Sequence, residues 1–184
     1  MGALPKPMTI EEFIAWEERQ DLRYEFDGFV VRATTGGTYA RAAIQANLLG
    51  ALGNHLGGTP CRVFGSQLKV RTNTSVRYPD ALITCSRADP QATFARDPVV
   101  IFEILSKSTA RDDLGVKNAE YQAISSLKRY VVLHQSLAAA EVFHRDAEGE
   151  WTYEFISADG ALQMTEIGVS IPLAELYEGV ELAS

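Results

Sequence analysis

The sequence predicts an α/β fold with a central mixed β-sheet, flanking helices and a C-terminal antiparallel meander. Three strand-like segments, "CRVFGSQLKVRT", "SVRYPDALITC" and "PVVIFEILS", precede a helix-like segment and a further apolar strand, "KRYVVLHQ". This order is typical of a sheet that mixes antiparallel and parallel neighbours. The C-terminal part then alternates β-rich segments with turns at Gly149 and Asp159-Gly160, which favours a meander.

The N-terminal elements carry clear local signals. "TIEEFIAWEERQ" begins with Thr9 and Glu12 in the spacing of a capping box, and its apolar residues recur at helical spacing. Asp27-Gly28 lies between β-rich segments and is the strongest hairpin signal in the chain. We therefore expect a short helix followed by a hairpin.

Three more helices are expected. "YARAAIQANLLGALGNHL" forms one apolar helical stripe that Gly57-Gly58 ends. The residues of that stripe are Ala40, Ile44, Leu48 and Leu52. Ser108 or Thr109 could cap a helix through "ARDDLGVKNAEYQAI", and "IPLAELYEGV" predicts a short closing helix.

Length and composition favour one domain that spans residues 1–184. The 184 residues are 46% hydrophobic and 22% charged, which suffices for one core. No apolar run approaches the roughly 18 residues of a membrane span. "MGALPKPMTIEEF" lacks the basic start and hydrophobic region of a signal peptide. We expect a cytoplasmic protein with no membrane partner.

The two cysteines predict neither a zinc site nor a disulfide framework. Cys61 and Cys85 lack CxxC spacing and clustered histidines. We interpret both as small buried hydrophobic residues in a reducing compartment.

The net charge of −7 is unevenly distributed. Residues 1–31 hold 3 basic and 7 acidic side chains, and residues 135–184 hold 1 basic and 10 acidic side chains. Residues 32–134 hold 13 basic and 7 acidic side chains. A basic middle is compatible with a nucleic-acid partner, although solvated acidic surfaces at both ends explain the same pattern.

Two carboxylates interrupt apolar strand candidates. Asp80 alternates with Tyr78 and Leu82 in "VRYPDALIT", and Glu103 lies within "VVIFEILS". A buried ionised acid is costly unless something neutralises it, and two converging carboxylates would demand a cation. Oxygen ligands favour Mg²⁺ or Mn²⁺. The alternative is that each acid pairs with an arginine or reaches water at a strand end.

Lys117 is a third candidate for this site. It lies on the helix predicted after Glu103, four residues before Tyr121. From there it could neutralise the acids or orient a water molecule.

These residues resemble the PD-(D/E)XK restriction-endonuclease-like superfamily, and more closely its Uma-type family. The resemblance rests on "RYEFDGFVV", "IQANLLGAL", "YPDALI", "VVIFEILSKSTARDDLGVKNAEY" and "KRYVVLH", and it covers roughly residues 8–178. It implies a restriction-endonuclease-like fold and a metal-dependent DNA endonuclease, which in this fold often works as a homodimer.

Position by position, the resemblance implies that Asp80 and Glu103 hold Mg²⁺ or Mn²⁺ with help from a backbone carbonyl near Ile104. Lys117 matches the family's lysine, because the superfamily's usual position, two residues after the second acid, is Leu105 here. Glu25 matches a recurrent acid and could be a further ligand. A half-exposed glutamate beside a hairpin explains Glu25 equally well.

This chain departs from the family pattern at three places. Arg41 stands where many members carry histidine, and Lys107 replaces a common proline. The strand that often reads Glu-Tyr-Trp is "RYVVLH", which ends at His134. The predicted ligands are unaffected, whereas substrate contacts would change.

The remaining predictions concern the substrate. Cationic side chains supply most non-specific affinity for DNA phosphates. The candidates in the basic middle are Arg41, Lys69, Arg71, Arg77, Lys107 and Arg111. The alternative function is a nuclease fold with weak or no catalysis that serves as a nucleic-acid-binding or protein-interaction module.

Overall fold

The computed structural model describes residues 8–34, 36–87, 89–105, 110 and 112–182. Its helices are α1 (Ile10–Glu17), α2 (Tyr39–His55), α3 (Lys117–Gln122) and α4 (Leu173–Leu176). A π-helical turn, Asp112–Val116, leads directly into α3. The strands are β1 (Tyr24–Phe26), β2 (Val31–Ala33), β3 (Arg62–Gly65), β4 (Val70–Arg71), β5 (Val76–Arg77), β6 (Ala81–Thr84), β7 (Pro98–Leu105), β8 (Arg129–His134), β9 (Ala139–Arg145), β10 (Trp151–Ser157), β11 (Ala161–Met164) and β12 (Val169–Pro172).

The central sheet has six strands in the order β10-β9-β8-β7-β6-β3. Strands β7 and β8 are parallel, and the other neighbours are antiparallel. A parallel pair needs a crossover connection, and the segment containing α3 supplies it. The predicted mixed α/β fold is confirmed.

A smaller sheet, β2-β1-β5-β4, holds the predicted hairpin. The Asp27 carboxylate accepts hydrogen bonds from the backbone N–H groups of Phe29 and Val30 at 2.9 and 2.7 Å. Gly28 has a φ of +92°, and a Cβ there would lie 2.9 Å from the Thr74 carbonyl oxygen. Only glycine meets both conditions without strain, so this hairpin prediction is confirmed.

The two long strand candidates are each divided. The first contains β3 and β4, and the second contains β5 and β6. The break at Pro79 lets the chain pass from the small sheet to the central one, because proline cannot donate to a strand ladder. The expectation that Asp80 lies in the middle of a strand is therefore wrong: Asp80 lies at this crossing, directly before β6.

The predicted helices are observed where they lie within the described residues. Thr9 and Glu12 form both hydrogen bonds of a capping box on α1. Ile44, Leu48 and Leu52 are fully buried along α2. The proposed caps Ser108 and Thr109 lie outside the described residues.

Apolar side chains cover the central sheet on both faces. One face packs on α2, α4 and the β11–β12 hairpin, with Ile44, Phe102 and Ile171 in its core. The other face packs on α3, with Ile101 and Tyr121 in its core. This double cover explains the uninterrupted apolar run of β7. It also buries any polar group that β7 carries.

The C-terminal region combines a meander with a separate hairpin. Strand β9 runs antiparallel to both β8 and β10, but the predicted meander does not continue past β10, because β11 pairs with β12 instead. In the described part of the chain, β11 and β12 pair only with each other, and the predicted short helix after them is α4. No described helix is long and apolar enough to span a lipid bilayer.

The cysteine interpretation is wrong. Cys61 and Cys85 are half-buried and joined by a disulfide with an S–S distance of 2.03 Å. They directly flank the antiparallel pair of β3 and β6, in which Arg62 lies opposite Thr84. Strand pairing brings the two sulfurs together across 24 residues of sequence, and their spacing carries no sign of it.

Removing this disulfide should lower the stability. Replacement of both cysteines by alanine frees a loop of 24 residues in the unfolded chain. We expect the unfolding free energy to fall by about 3 kcal/mol, measured by urea denaturation. A reductant should destabilise the wild type and leave the double variant unchanged. Equal stability of the wild type with and without reductant would contradict the prediction.

Candidate active site

Asp80 is held at the start of β6 by groups from two sides. Its carboxylate accepts three hydrogen bonds from Arg41: one from Nε to Oδ1 at 3.1 Å, and two from Nη2 to Oδ1 and Oδ2 at 2.8 Å each. Oδ2 also accepts the backbone N–H of Ile104 at 2.7 Å. Gln45 donates to the Asp80 carbonyl oxygen at 2.7 Å. The carboxylate is thereby held against β7.

Glu103 lies on β7 and is 1% exposed. It shares the α3 face of the sheet with Ile101, because side chains two residues apart point the same way. Its Oε1 accepts hydrogen bonds from Lys117 Nζ and from the Tyr121 hydroxyl, each at 3.0 Å. The register that places Ala81 opposite Phe102 makes Asp80 and Glu103 neighbours across the β6–β7 ladder. The charge of Asp80 contributes to raising the pKa of Glu103, which agrees with this placement.

Lys117 lies at the centre of the acidic groups. Its Nζ is 3.0 Å from Glu103 Oε1, 3.1 Å from Asp113 Oδ1 and 3.8 Å from Glu25 Oε2. Asp113 is 1% exposed, and its Oδ1 has no hydrogen-bond partner among the described residues, because the contact with Lys117 lacks hydrogen-bond geometry. Among the described residues its contact is the ion pair with Lys117, which leaves its remaining lone pairs available to a ligand.

Arg77 anchors the outer side of this cluster. It is 2% exposed and forms two hydrogen bonds with Glu120 on α3, at 2.8 and 3.0 Å. Its Nη1 is 3.5 Å from Glu25 Oε2, and Glu25 Oε1 accepts the backbone N–H of Tyr78 at 2.9 Å. These contacts join the small sheet to α3 and fix the position of Glu25.

Burial and charge act in opposite directions on the ionisable groups. Burial raises the pKa of Glu103 to about 8, and the attraction of Lys117 offsets only part of this effect. Burial alone would lower the pKa of Lys117, but Glu103, Glu25 and Asp113 outweigh it and raise that pKa. Lys117 is therefore charged at neutral pH. Burial also raises the pKa of Tyr121 far above its usual range, so its hydroxyl remains a donor.

The donor chemistry of this centre fits a hard divalent cation. Among the described residues, five carboxyl groups face three cations in this buried region. The carboxylates belong to Glu25, Asp80, Glu103, Asp113 and Glu120, and the cations to Arg41, Arg77 and Lys117. Oxygen ligands suit Mg²⁺ or Mn²⁺, and Asp113 Oδ1, which has an ion pair but no hydrogen bond among the described residues, adds to the set. The described residues contain no group of three or more acids, histidines or cysteines already arranged to hold a metal.

The predicted phosphate contacts are placed very differently from one another. Lys69 is buried, with Nζ 2.6 Å from Glu17 Oε2, and Arg77 is buried as described above. Arg71 is exposed and pairs with Glu11. A phosphate could reach Lys69 or Arg77 only if their ion pairs opened. Two other candidates, Lys107 and Arg111, lie outside the described residues.

Sequence reasoning missed three contributors to the site. Asp113 precedes Lys117 by one helical turn, and that spacing was the available signal. Tyr121 entered only as a spacing marker for Lys117, although its hydroxyl contacts Glu103. Gln45 carries no signal, because its contact with Asp80 spans 35 residues.

The fold and the paired acids define a class, the restriction-endonuclease-like nuclease fold. A family model described as Uma2, "Putative restriction endonuclease", matches residues 10–174. The chain therefore belongs to this family. The recognition made from "YPDALI" and "FEILSKST" is confirmed.

Proteins of known sequence and structure resemble the chain over nearly its whole length. The uncharacterized protein slr1290 of Synechocystis sp. is 30% identical over 176 residues, which covers 94% of this chain and 93% of the relative. A second uncharacterized Synechocystis protein, sll1609, is 23% identical and covers 86% and 93%. The crystal structure of a putative DUF820 nuclease from Anabaena variabilis ATCC 29413 matches with a TM-score of 0.76 and 14% identity, covering 94% and 98%. The likeness to this structure shows the fold.

Proposed function

We propose that the protein is a metal-dependent DNA endonuclease that hydrolyses phosphodiester bonds. The observation that carries the proposal is the buried contact of Glu103 with Lys117 and Tyr121, beside Asp80 and within a family of nuclease-like proteins. Ion pairing alone gives no reason for five acids to face three cations among the described residues of this region. A phosphate-cleaving centre gives one, because it must bind a cation.

Asp80 and Glu103 would hold Mg²⁺ or Mn²⁺, with the Ile104 carbonyl as a further ligand and Glu25 acting directly or through water. When bound, the cation would supply Lewis-acid polarisation of the scissile phosphate and of the attacking water. The Ile104 N–H keeps the Asp80 carboxylate turned towards β7. Glu103 is oriented by the Tyr121 hydroxyl, which holds its proton at neutral pH.

Lys117 would act by electrostatics. Its Nζ keeps its proton and lies 3.0 Å from Glu103, so its charge stands beside the place where negative charge grows on the phosphate. Since three acids surround it, Lys117 is poorly suited to act as a base. We assign it the positioning of water and the stabilisation of phosphate charge.

The direct test is cleavage of supercoiled and single-stranded DNA with Mg²⁺ or Mn²⁺. Asp80→Ala and Glu103→Gln should each lower the cleavage rate by about a hundredfold or more, because each removes a metal ligand. Asp159→Asn, at the exposed turn before β11, is the matched control and should cleave like the wild type. Cleavage that survives in Asp80→Ala would refute the assigned site.

A second function, binding without useful catalysis, is favoured by one observation. Arg41 occupies both oxygens of Asp80, so a metal ligand is engaged by the protein itself. A binding module would hold labelled DNA in fluorescence anisotropy with EDTA present and would cleave no substrate. Metal-dependent cleavage by the wild type would exclude this alternative.

A further inference from the structure

The Arg41 guanidinium lies against the Asp80 carboxylate, where a metal cation would otherwise bind. Its planar guanidinium spans both carboxylate oxygens, which is the strong, oriented form of a carboxylate ion pair. The Asp80 side chain is 6% exposed, and that of Arg41 is 25% exposed. A positive charge therefore reaches the buried acid from the solvent side.

The fold builds this contact from several elements. The Arg41 N–H donates to the Thr38 side chain that caps α2, at 3.2 Å. One turn later on the same helix, Gln45 donates to the Asp80 carbonyl. A Cβ at Gly37 would lie 2.7 Å from Arg41 Cδ, so the glycine leaves the room that the arginine chain occupies. The position of Arg41 is thus set by the cap, the helix and the loop before it.

The contact also engages the lone pairs that a metal would need. Asp80 accepts three hydrogen bonds from Arg41 and one from Ile104, and a carboxylate has about four lone-pair positions. The Ile104 bond leaves the other positions open to a cation, whereas the guanidinium fills them. We propose that Arg41 is an internal counterion that competes directly with a divalent cation for Asp80. This inference rests on the proposed metal-dependent function and adds a residue that sets metal affinity.

Of the three cationic side chains, Arg41 is the most exposed and is therefore the one that a metal ion would displace. Lys117 and Arg77 are 8% and 3% exposed in their side chains, and each is enclosed by several acids. Arg41 has one acid in direct contact among the described residues and can rotate towards solvent. Its guanidinium would then be free for a DNA phosphate, so metal binding would prepare the site for substrate.

Calorimetric titration with Mn²⁺ tests the competition without using activity. We expect Arg41→Ala to bind Mn²⁺ at least about tenfold more tightly than the wild type, since hydrogen bonds to a charged group no longer oppose the metal. Arg41→Lys should also bind more tightly, because an ammonium group cannot span both oxygens. This variant keeps the charge and guards against misfolding of the alanine variant. Thermal melts followed by circular dichroism establish that each variant is folded.

Two controls separate the possible outcomes. Arg32→Ala removes an arginine that is 54% exposed and pairs with Asp27, and it should change Mn²⁺ affinity by less than about twofold. Asp80→Asn should abolish binding. The proposed competition would be refuted if both Arg41 variants bound Mn²⁺ as the wild type does, or if Arg32→Ala gained as much affinity as they do. Either result would leave the metal-dependent function intact. Absence of Mn²⁺ binding in both the wild type and Arg41→Ala would overturn the competition and the metal dependence together.

Discussion

Replacing Lys117 with methionine should lower the DNA cleavage rate by about a hundredfold or more, while Mn²⁺ still binds. The ammonium group stands beside the proposed phosphate position, and loss of one such stabilising group has an effect of this size. Metal binding should survive because Lys117 is itself positive and is no ligand. Single-turnover cleavage and calorimetry on the same preparation measure the two effects.

Tyr121→Phe is the matched control for Lys117→Met. The Tyr121 hydroxyl donates to the same Glu103 oxygen at the same distance, 3.0 Å, but carries no charge. We expect Tyr121→Phe to cleave within about tenfold of the wild type, because only a neutral hydrogen bond is lost. Equal losses in both variants would indicate that Lys117 merely positions Glu103. Lys117→Arg keeps the charge in case the methionine variant does not fold.

Replacing Lys69 with methionine should lower the unfolding free energy by about 3–5 kcal/mol. The change leaves the Glu17 carboxylate buried without its cation, and an unpaired buried charge is strongly destabilising. The Tyr78 hydroxyl still donates to Glu17 at 2.7 Å but cannot neutralise it. Urea denaturation followed by fluorescence and circular dichroism measures the loss.

The neighbouring ion pair supplies the control. Arg71 lies two residues further along the chain and pairs with Glu11 on the same helix, α1, but both side chains are exposed. Arg71→Met should leave the unfolding free energy close to that of the wild type. The double variant Glu17→Met/Lys69→Met should recover most of the stability lost in Lys69→Met, because a hydrophobic pair can replace a buried ion pair. No recovery in the double variant would contradict this account.

Local signals were sufficient for the elements that local contacts build. The capping box of Thr9 and Glu12 forms within one turn, and Asp27-Gly28 forms within one hairpin. Asp80 and Glu103 could be paired in advance because both interrupt apolar segments, and buried acids need partners. Lys117 followed from the family resemblance. Its contact with Glu103 agrees with that prediction, while its catalytic role stays a prediction.

The distribution of charge along the sequence did not predict which basic side chains are exposed to bind phosphate. The basic middle of the chain suggested six phosphate contacts, yet Lys69 and Arg77 are buried against acids from distant segments. The residues that neutralise them, Glu17 and Glu120, lie 52 and 43 positions away. Counting charges along the chain cannot reveal such pairs, because exposure depends on packing.

The sequence by itself determined the α/β class and the family, and it nominated two acids and a lysine for the candidate site. These are properties of short segments, in which periodicity, capping and an acid in an apolar run are set by neighbours along the chain. Only the tertiary structure decided that Cys61 and Cys85 form a disulfide, that Asp113 joins the site and that Arg41 holds Asp80. Each of these depends on the pairing of strands or on a helix docked against them, and such pairing is set by packing over the whole core.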